Sequence, residues 1–241
     1  MSMFGYNTLG FGSIAGTAGP LDLDLTVQGA QVNRANGTYT GVSIGTANTN
    51  RMVVLQGATN AAASNYTAPT SITINGTAMT RVSNLSSFIA WAKVPTGTTA
   101  TIVISGGTTS ATGYATRIIT FNTINTTASQ TSVQSVNVPS GTVGSVTMTT
   151  NPVATDGVFI WAGTNIGGGP SIPTFSVTSN NPSGATGTLT GVTAQDQPTT
   201  WGAYSTCSTA DSRFARLTLN NSSGSKSQAT IYGSFTYFQA N

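Results

Sequence analysis

The pattern that most narrows the fold is a series of short apolar segments with a period of two. From Leu21 they read LDLDLTVQ, YTGVSIGT, RMVVLQGA, SITIN, AMTRV, SFIAWAKV, TATIVIS and YATRIITF, each bounded by Gly, Asn, Pro or Ser. Alternation between such boundaries is the mark of an all-β chain. In FIAWAKVPTGTTATIVIS, Phe88, Ala90, Ala92 and Val94 share one face and Ile89, Trp91 and Lys93 the other. Beyond the Val94-Pro95-Thr96-Gly97 corner, Ala100, Ile102 and Ile104 again share a face. Asn75-Gly76 lies between two alternating segments and predicts a tight hairpin turn. No helical period appears anywhere, and NAAASNYTAP is too short and too rich in Asn and Ser to hold more than one helical turn.

Only 5% of the 241 residues are charged, so the surface of such a fold must be covered by Thr, Ser, Asn and Gln. Apolar, β-branched strands recur to the end of the chain, which argues for a folded protein rather than a disordered tract. The net charge is +3, but Arg34, Arg51, Arg81, Lys93, Arg117, Arg213, Arg216 and Lys226 are scattered, without the stripe that a nucleic-acid surface needs. No nucleic-acid partner is expected. No segment approaches the roughly 18 apolar residues of a membrane span. The N-terminus has no basic region followed by an apolar core, so no signal peptide is expected and synthesis in a cytoplasm is.

The chain also resembles itself. VVLQGATN from 53 is similar to VFIWAGTN from 158, GVSIGT from 41 to SVTMTT from 145, TIVIS from 101 to RLTLN from 216, and RIITFN from 117 to SFTYFQ from 234. Two related β-sandwich modules are the reading, residues 21–127 and 128–241, with one larger jelly roll as the alternative. Residues 1–20 form an extended arm rich in glycine, with Met3, Phe4, Tyr6, Leu9 and Phe11 as its apolar anchors. Such side chains are poorly accommodated in water, so the arm docks either on its own domain or on a neighbouring subunit.

Chemistry is scarce. The sequence has no histidine and no glutamate, which removes the commonest general base, the Ser-His-Asp and Cys-His arrangements and the zinc-protease motifs. Five aspartates remain: Asp22, Asp24, Asp156, Asp196 and Asp211. Asp196 and Asp211 are the pair to consider for a glycosidase, and Asp22 with Asp24 for calcium, but two carboxylates are far short of a calcium shell. No catalytic residue, metal site or cofactor is expected. Cys207 is the single cysteine and reads as a small buried apolar group. Tyr66, Tyr114, Trp201 and Tyr204 are the aromatics that could stack on a glycan if they stand in exposed loops.

The run SITINGTAMTRV followed by SFIAWAKVPTGTTATIVIS resembles a hairpin and strand pattern in structural proteins of tailed bacteriophages. The matching positions are Ile72, Ile74, Gly76, Ala78, Arg81, Trp91, Ala92, Val94, Pro95, Gly97, Ile102 and Ile104. The opening MFGYNTLGFG is similar to the Gly-aromatic starts of such proteins. The resemblance covers mostly residues 40–122 and rests on packing and turn positions, so it implies a β-sandwich virion component rather than an active site. No heptad stalk or triple-β repeat is present, which argues against an elongated fibre shaft.

The resemblance implies a non-enzymatic virion protein, in first place a capsid decoration or cement protein whose partners are the major capsid protein or tail proteins. A homo-oligomer is expected, a trimer being the natural closed form for a jelly-roll protein. The alternative is a tail-associated receptor-binding protein that contacts host glycans.

Overall fold

The structure, a computed structural model, describes residues 26–59, 67–85, 87–109, 113–123, 128, 130–139, 142–149, 157–166, 200–207, 214–220 and 228–239. Every regular element among them is a strand, and every pairing between strands is antiparallel. In chain order they are β1 (Thr26–Arg34), β2 (Gly37–Ser43), β3 (Arg51–Thr59), β4 (Ser71–Ile74), β5 (Thr77–Ala78), β6 (Thr80–Asn84), β7 (Ser87–Lys93), β8 (Thr99–Ser105) and β9 (Tyr114–Asn122). There follow β10 (Gln130–Pro139), β11 (Val143–Thr149), β12 (Gly157–Ile166), β13 (Thr200–Cys207), β14 (Phe214–Asn220) and β15 (Gln228–Gln239).

Four sheets result. Sheet A has the order β1-β9-β3-β7-β6, and sheet B the order β2-β8-β4-β5. Sheet C has the order β10-β15-β12-β13, and β11 and β14 form the pair called sheet D. Strands up to β9 pair only with one another, as do strands from β10 onward.

Sheet A is covered on both faces. Val53, Leu55, Phe88, Ala90, Tyr114 and Ile118 point to one side and join Ile72, Ile74, Ala100, Ile102 and Ile104 of sheet B in one core. Met52, Val54, Ile89, Trp91, Ile119 and Phe121 point to the other side and meet Val158, Ile160, Ala162 and Phe238 of sheet C. The sequence carries the difference. A strand with one wet face must alternate, as β8 does (exposed, buried, intermediate, buried), whereas a strand buried on both faces has no reason to. RMVVLQGA and YATRIITF are accordingly buried along nearly their whole length.

Polar bonds tie sheets A and C where the apolar contact ends. The Ser87 and Ser234 hydroxyls are 3.0 Å apart, Asn84 Nδ2 donates to the Gln134 carbonyl at 2.6 Å, and Gln56 Nε2 donates to the Trp161 carbonyl. A buried polar group in a seam between sheets needs an internal partner, and these pairs supply one for each of their donors, whereas Trp91 Nε1 in the same seam has none among the described residues.

Local expectations fare unevenly. Asn75 (φ 49°) and Gly76 (φ 80°) both sit in the left-handed region that the two-residue turn between β4 and β5 demands. AMTRV, read as one strand, is two: β5 belongs to sheet B and β6 to sheet A. Met79 lies between them, buried, with its N–H donating to Ile72, so the chain changes sheet at that residue. The Pro95-Thr96-Gly97 corner likewise carries the chain from sheet A to sheet B.

Gly57 lies in β3 directly across from Phe88, in a place that admits no side chain. A Cβ there would stand 2.3 Å from Phe88 Cζ, and Phe88 is itself locked edge-on against Tyr114 with ring centroids 5.4 Å apart. Gly57→Ala is therefore expected to cost about 1–3 kcal/mol by overpacking, read from the urea midpoint. Adding Phe88→Leu should recover part of that loss. A midpoint unchanged by Gly57→Ala would mean that this part of the core yields freely.

Candidate functional site

All five aspartates, including the Asp196/Asp211 and Asp22/Asp24 pairs, lie outside the described residues. Among the described residues no group of three His, Cys, Asp or Glu side chains is placed to hold a metal, and no helix is long and apolar enough to cross a membrane. The apolar arm positions Met3, Phe4, Tyr6, Leu9 and Phe11 lie outside the described residues, as does Tyr66.

Four cations, Arg34, Arg51, Arg81 and Lys93, have backbone carbonyls or a ring as their described partners. Arg81 donates to the Pro69 carbonyl, Lys93 to the Thr123 carbonyl, and Arg34 lies 4.4 Å from the centroid of the Tyr39 ring. Arg51 goes furthest. Its Nε donates to Val94 (2.8 Å), Nη1 to Gly45 (2.7 Å) and Nη2 to both Thr96 and Gly97 (2.8 Å each), all to main-chain carbonyls. One buried guanidinium thus holds the 94–97 corner and the loop after β2 against the start of β3. Burial lowers the pKa of both Arg51 and Lys93, because desolvation disfavours their charged forms.

Beside Arg51 opens a cleft of about 440 Å³, walled by Thr26 and Gln28 of β1, residues 45–48 of the β2–β3 loop, and Thr120, Phe121 and Asn122 of β9. Its polar groups are held in place. Gln28 Nε2 donates to Thr120 Oγ1 at 3.3 Å, and Gln28 Oε1 accepts from Ser43 Oγ at 3.3 Å. Asn48 Oδ1 accepts from the Asn50 N–H at 2.8 Å, and the Asn48 carbonyl accepts from the Arg51 N–H. Gly45 has φ 73°, and a Cβ there would fall 2.7 Å from Gln28 Nε2, so glycine is what lets the loop close over the amide. No motif announces this cleft, because its walls come from three segments far apart in the sequence. The one legible signal is an arginine opening an apolar strand with no acidic residue near it.

Of the four aromatics considered for glycan stacking, Tyr114 is corrected by the structure. It is fully buried, its hydroxyl donates to the Thr67 carbonyl at 2.9 Å and its ring meets Phe88, so no face is open to a sugar. Trp201 and Tyr204 lie on β13, opposite Gly163 and Ile160 of β12. Their side chains are outside the described part.

Burial pushes the Tyr114 phenol up to about 12, with the nearby charge of Arg81 pulling it part of the way back. A raised folded-state pKa stabilises the protein below the unfolded value near 10, and that contribution disappears as pH climbs through about 12. Tyr114→Phe should lose about 1 kcal/mol at pH 7 with its hydrogen bond, and should decline less steeply than the parent between pH 10 and 12 in urea titrations. An identical alkaline decline in both would assign it to other groups.

No family model matches the chain, and no curated protein matches it either. The functional reading therefore rests on geometry and on the residues themselves.

Proposed function

We propose that this chain is a non-enzymatic structural protein of a phage virion, a capsid decoration or cement protein built from two tandem jelly-roll sandwiches behind an N-terminal arm. The observation that supports the jelly-roll part of the reading is the strand order. In an eight-stranded jelly roll, strands one, eight, three and six form one sheet, and two, seven, four and five the other, because a long folded-over hairpin is wrapped around the core. Counting β1 to β5 and then β7 to β9, sheets A and B follow that order, with β6 added at an edge. The order β10-β15-β12-β13 and the β11-β14 pair match positions one, eight, three and six and positions two and seven of the scheme among the described strands of the second half.

Jelly rolls serve capsids, lectins and cupins alike, so the fold alone does not select among them. The virion choice draws on the resemblance at residues 72–104 and on a composition without histidine or glutamate. Both suit a part that is assembled rather than turned over. Low charge also limits repulsion between crowded copies.

The test is made in particles. Immunogold labelling of purified particles should place the chain over the head. A variant lacking residues 1–20 should keep the circular dichroism and melting temperature of the full chain yet fail to join the particle. Normal incorporation of that variant removes the arm from the account, and absence of the full chain from particles removes the virion reading.

A further inference from the structure

The cleft beside Arg51 is a place where the fold gathers polar groups beyond those that pair its strands. We propose that it binds one acidic sugar residue, a hexuronate, with the carboxylate set against the Arg51 guanidinium and the ring hydroxyls against the amides and hydroxyls of the wall. The inference is independent of the virion reading.

Charge is the first argument. Arg51 is 2% exposed, and among the described residues its donors meet four carbonyls and no carboxylate, which leaves one Nη1 hydrogen and a positive charge compensated there only by dipoles. A desolvated cation in that position favours an anion in the adjoining wet space. The single remaining hydrogen and the lack of a second cation in the wall suit a monovalent carboxylate better than a phosphate.

The wall supplies the second argument. Thr46 and Asn48 stand exposed on the rim, and the Asn48 amide nitrogen is left over once its oxygen has accepted from Asn50. Hydroxyls and amides in alternation are the partners a polyhydroxyl ring requires. Size gives the third. About 440 Å³ is near the lower end for ligand pockets, room for one ring rather than a chain. The loop is also fixed before any ligand arrives, since Arg51 holds Gly45 and the Ile44 N–H donates to Thr98, so little ordering cost remains.

The experiment is a titration of the full chain with glucuronate, glucose and acetate at constant ionic strength, followed by amide chemical shifts. Glucuronate should saturate with a Kd on the order of 1 mM, moving the resonances of Gln28, Thr46 and Asn48. Glucose and acetate should each bind at least about tenfold more weakly, since each supplies only half of the contacts. Asn48→Asp keeps the bond to Asn50 and adds a like charge to the rim, so it should weaken glucuronate by a similar factor with the melting temperature unchanged. Equal binding of glucose would overturn the charge argument. Absence of saturation by glucuronate at tenfold the expected Kd would overturn the site. Asp22 and Asp24 precede the cleft wall in sequence, so the double variant Asp22→Asn/Asp24→Asn is titrated as well. Glucuronate binding that appears only in that variant would mean that the chain supplies its own anion, and the proposal falls.

Discussion

Phe238→Ala is expected to lower the unfolding free energy by about 3–5 kcal/mol, the usual range for emptying a buried phenylalanine site. Phe238 belongs to sheet C, yet its ring is fully buried edge-on against Trp91 (5.6 Å between centroids) and inclined against Phe121 (5.2 Å), both of sheet A. The cavity would open in the seam between the two groups of sheets rather than inside either. The loss should therefore come with broken cooperativity: the parent is expected to unfold in a single urea transition and the variant in two. A variant with the parent's midpoint and a single transition would show that the seam contributes little.

Arg51→Ala is the second large effect, a loss of about 3 kcal/mol. Four charge-assisted bonds disappear together, and the freed carbonyls of Val94, Gly45, Thr96 and Gly97 are only partly able to find water. Arg51→Lys should regain less than half of the loss. A compact ammonium cannot span carbonyls on two separate loops as the planar fork does. Full rescue by lysine, measured by urea unfolding, would reduce the clamp to a simple matter of charge.

Much of the fold was legible for a physical reason. The alternation assigned to residues 88–94 is the alternation observed: Phe88, Ala90, Ala92 and Val94 face sheet B, and Ile89 and Trp91 face sheet C. Asn-Gly forced its turn. What the pattern could not show was the identity of the second covering layer. An apolar outer face looks the same whether another sheet of the chain or another molecule will bury it.

The internal similarity shows the limit more sharply. Each of the four matched pairs of segments falls on strands with the same place in the sheet order: β3 with β12, β2 with β11, β8 with β14, and β9 with β15. Yet VVLQG set against VFIWA is one residue out of step. Val53 pairs with Thr120 and Phe159 with Tyr237, so the register that matches RIITFN to SFTYFQ puts Val53 against Phe159 and Gly57 against Gly163. The slip exchanges the two faces, placing the inward Val53 and Leu55 against Val158 and Ile160, which face sheet A. Strands rich in small and β-branched residues resemble one another in either register, and only the pairing partner decides.

The candidate site was less legible than the fold. Tyr114 was a candidate for glycan stacking on the condition that it stood in an exposed loop, whereas the structure uses its hydroxyl to hold Thr67 and its ring to fill the core. The cleft was invisible because it depends on how three distant segments meet.

The central claim, that the chain is an inert building block present in many copies of one assembly, is tested most directly by its stoichiometry. Quantitative mass spectrometry of purified particles should find it in numbers comparable to the major capsid protein. A handful of copies confined to the tail, or none at all, would contradict the account.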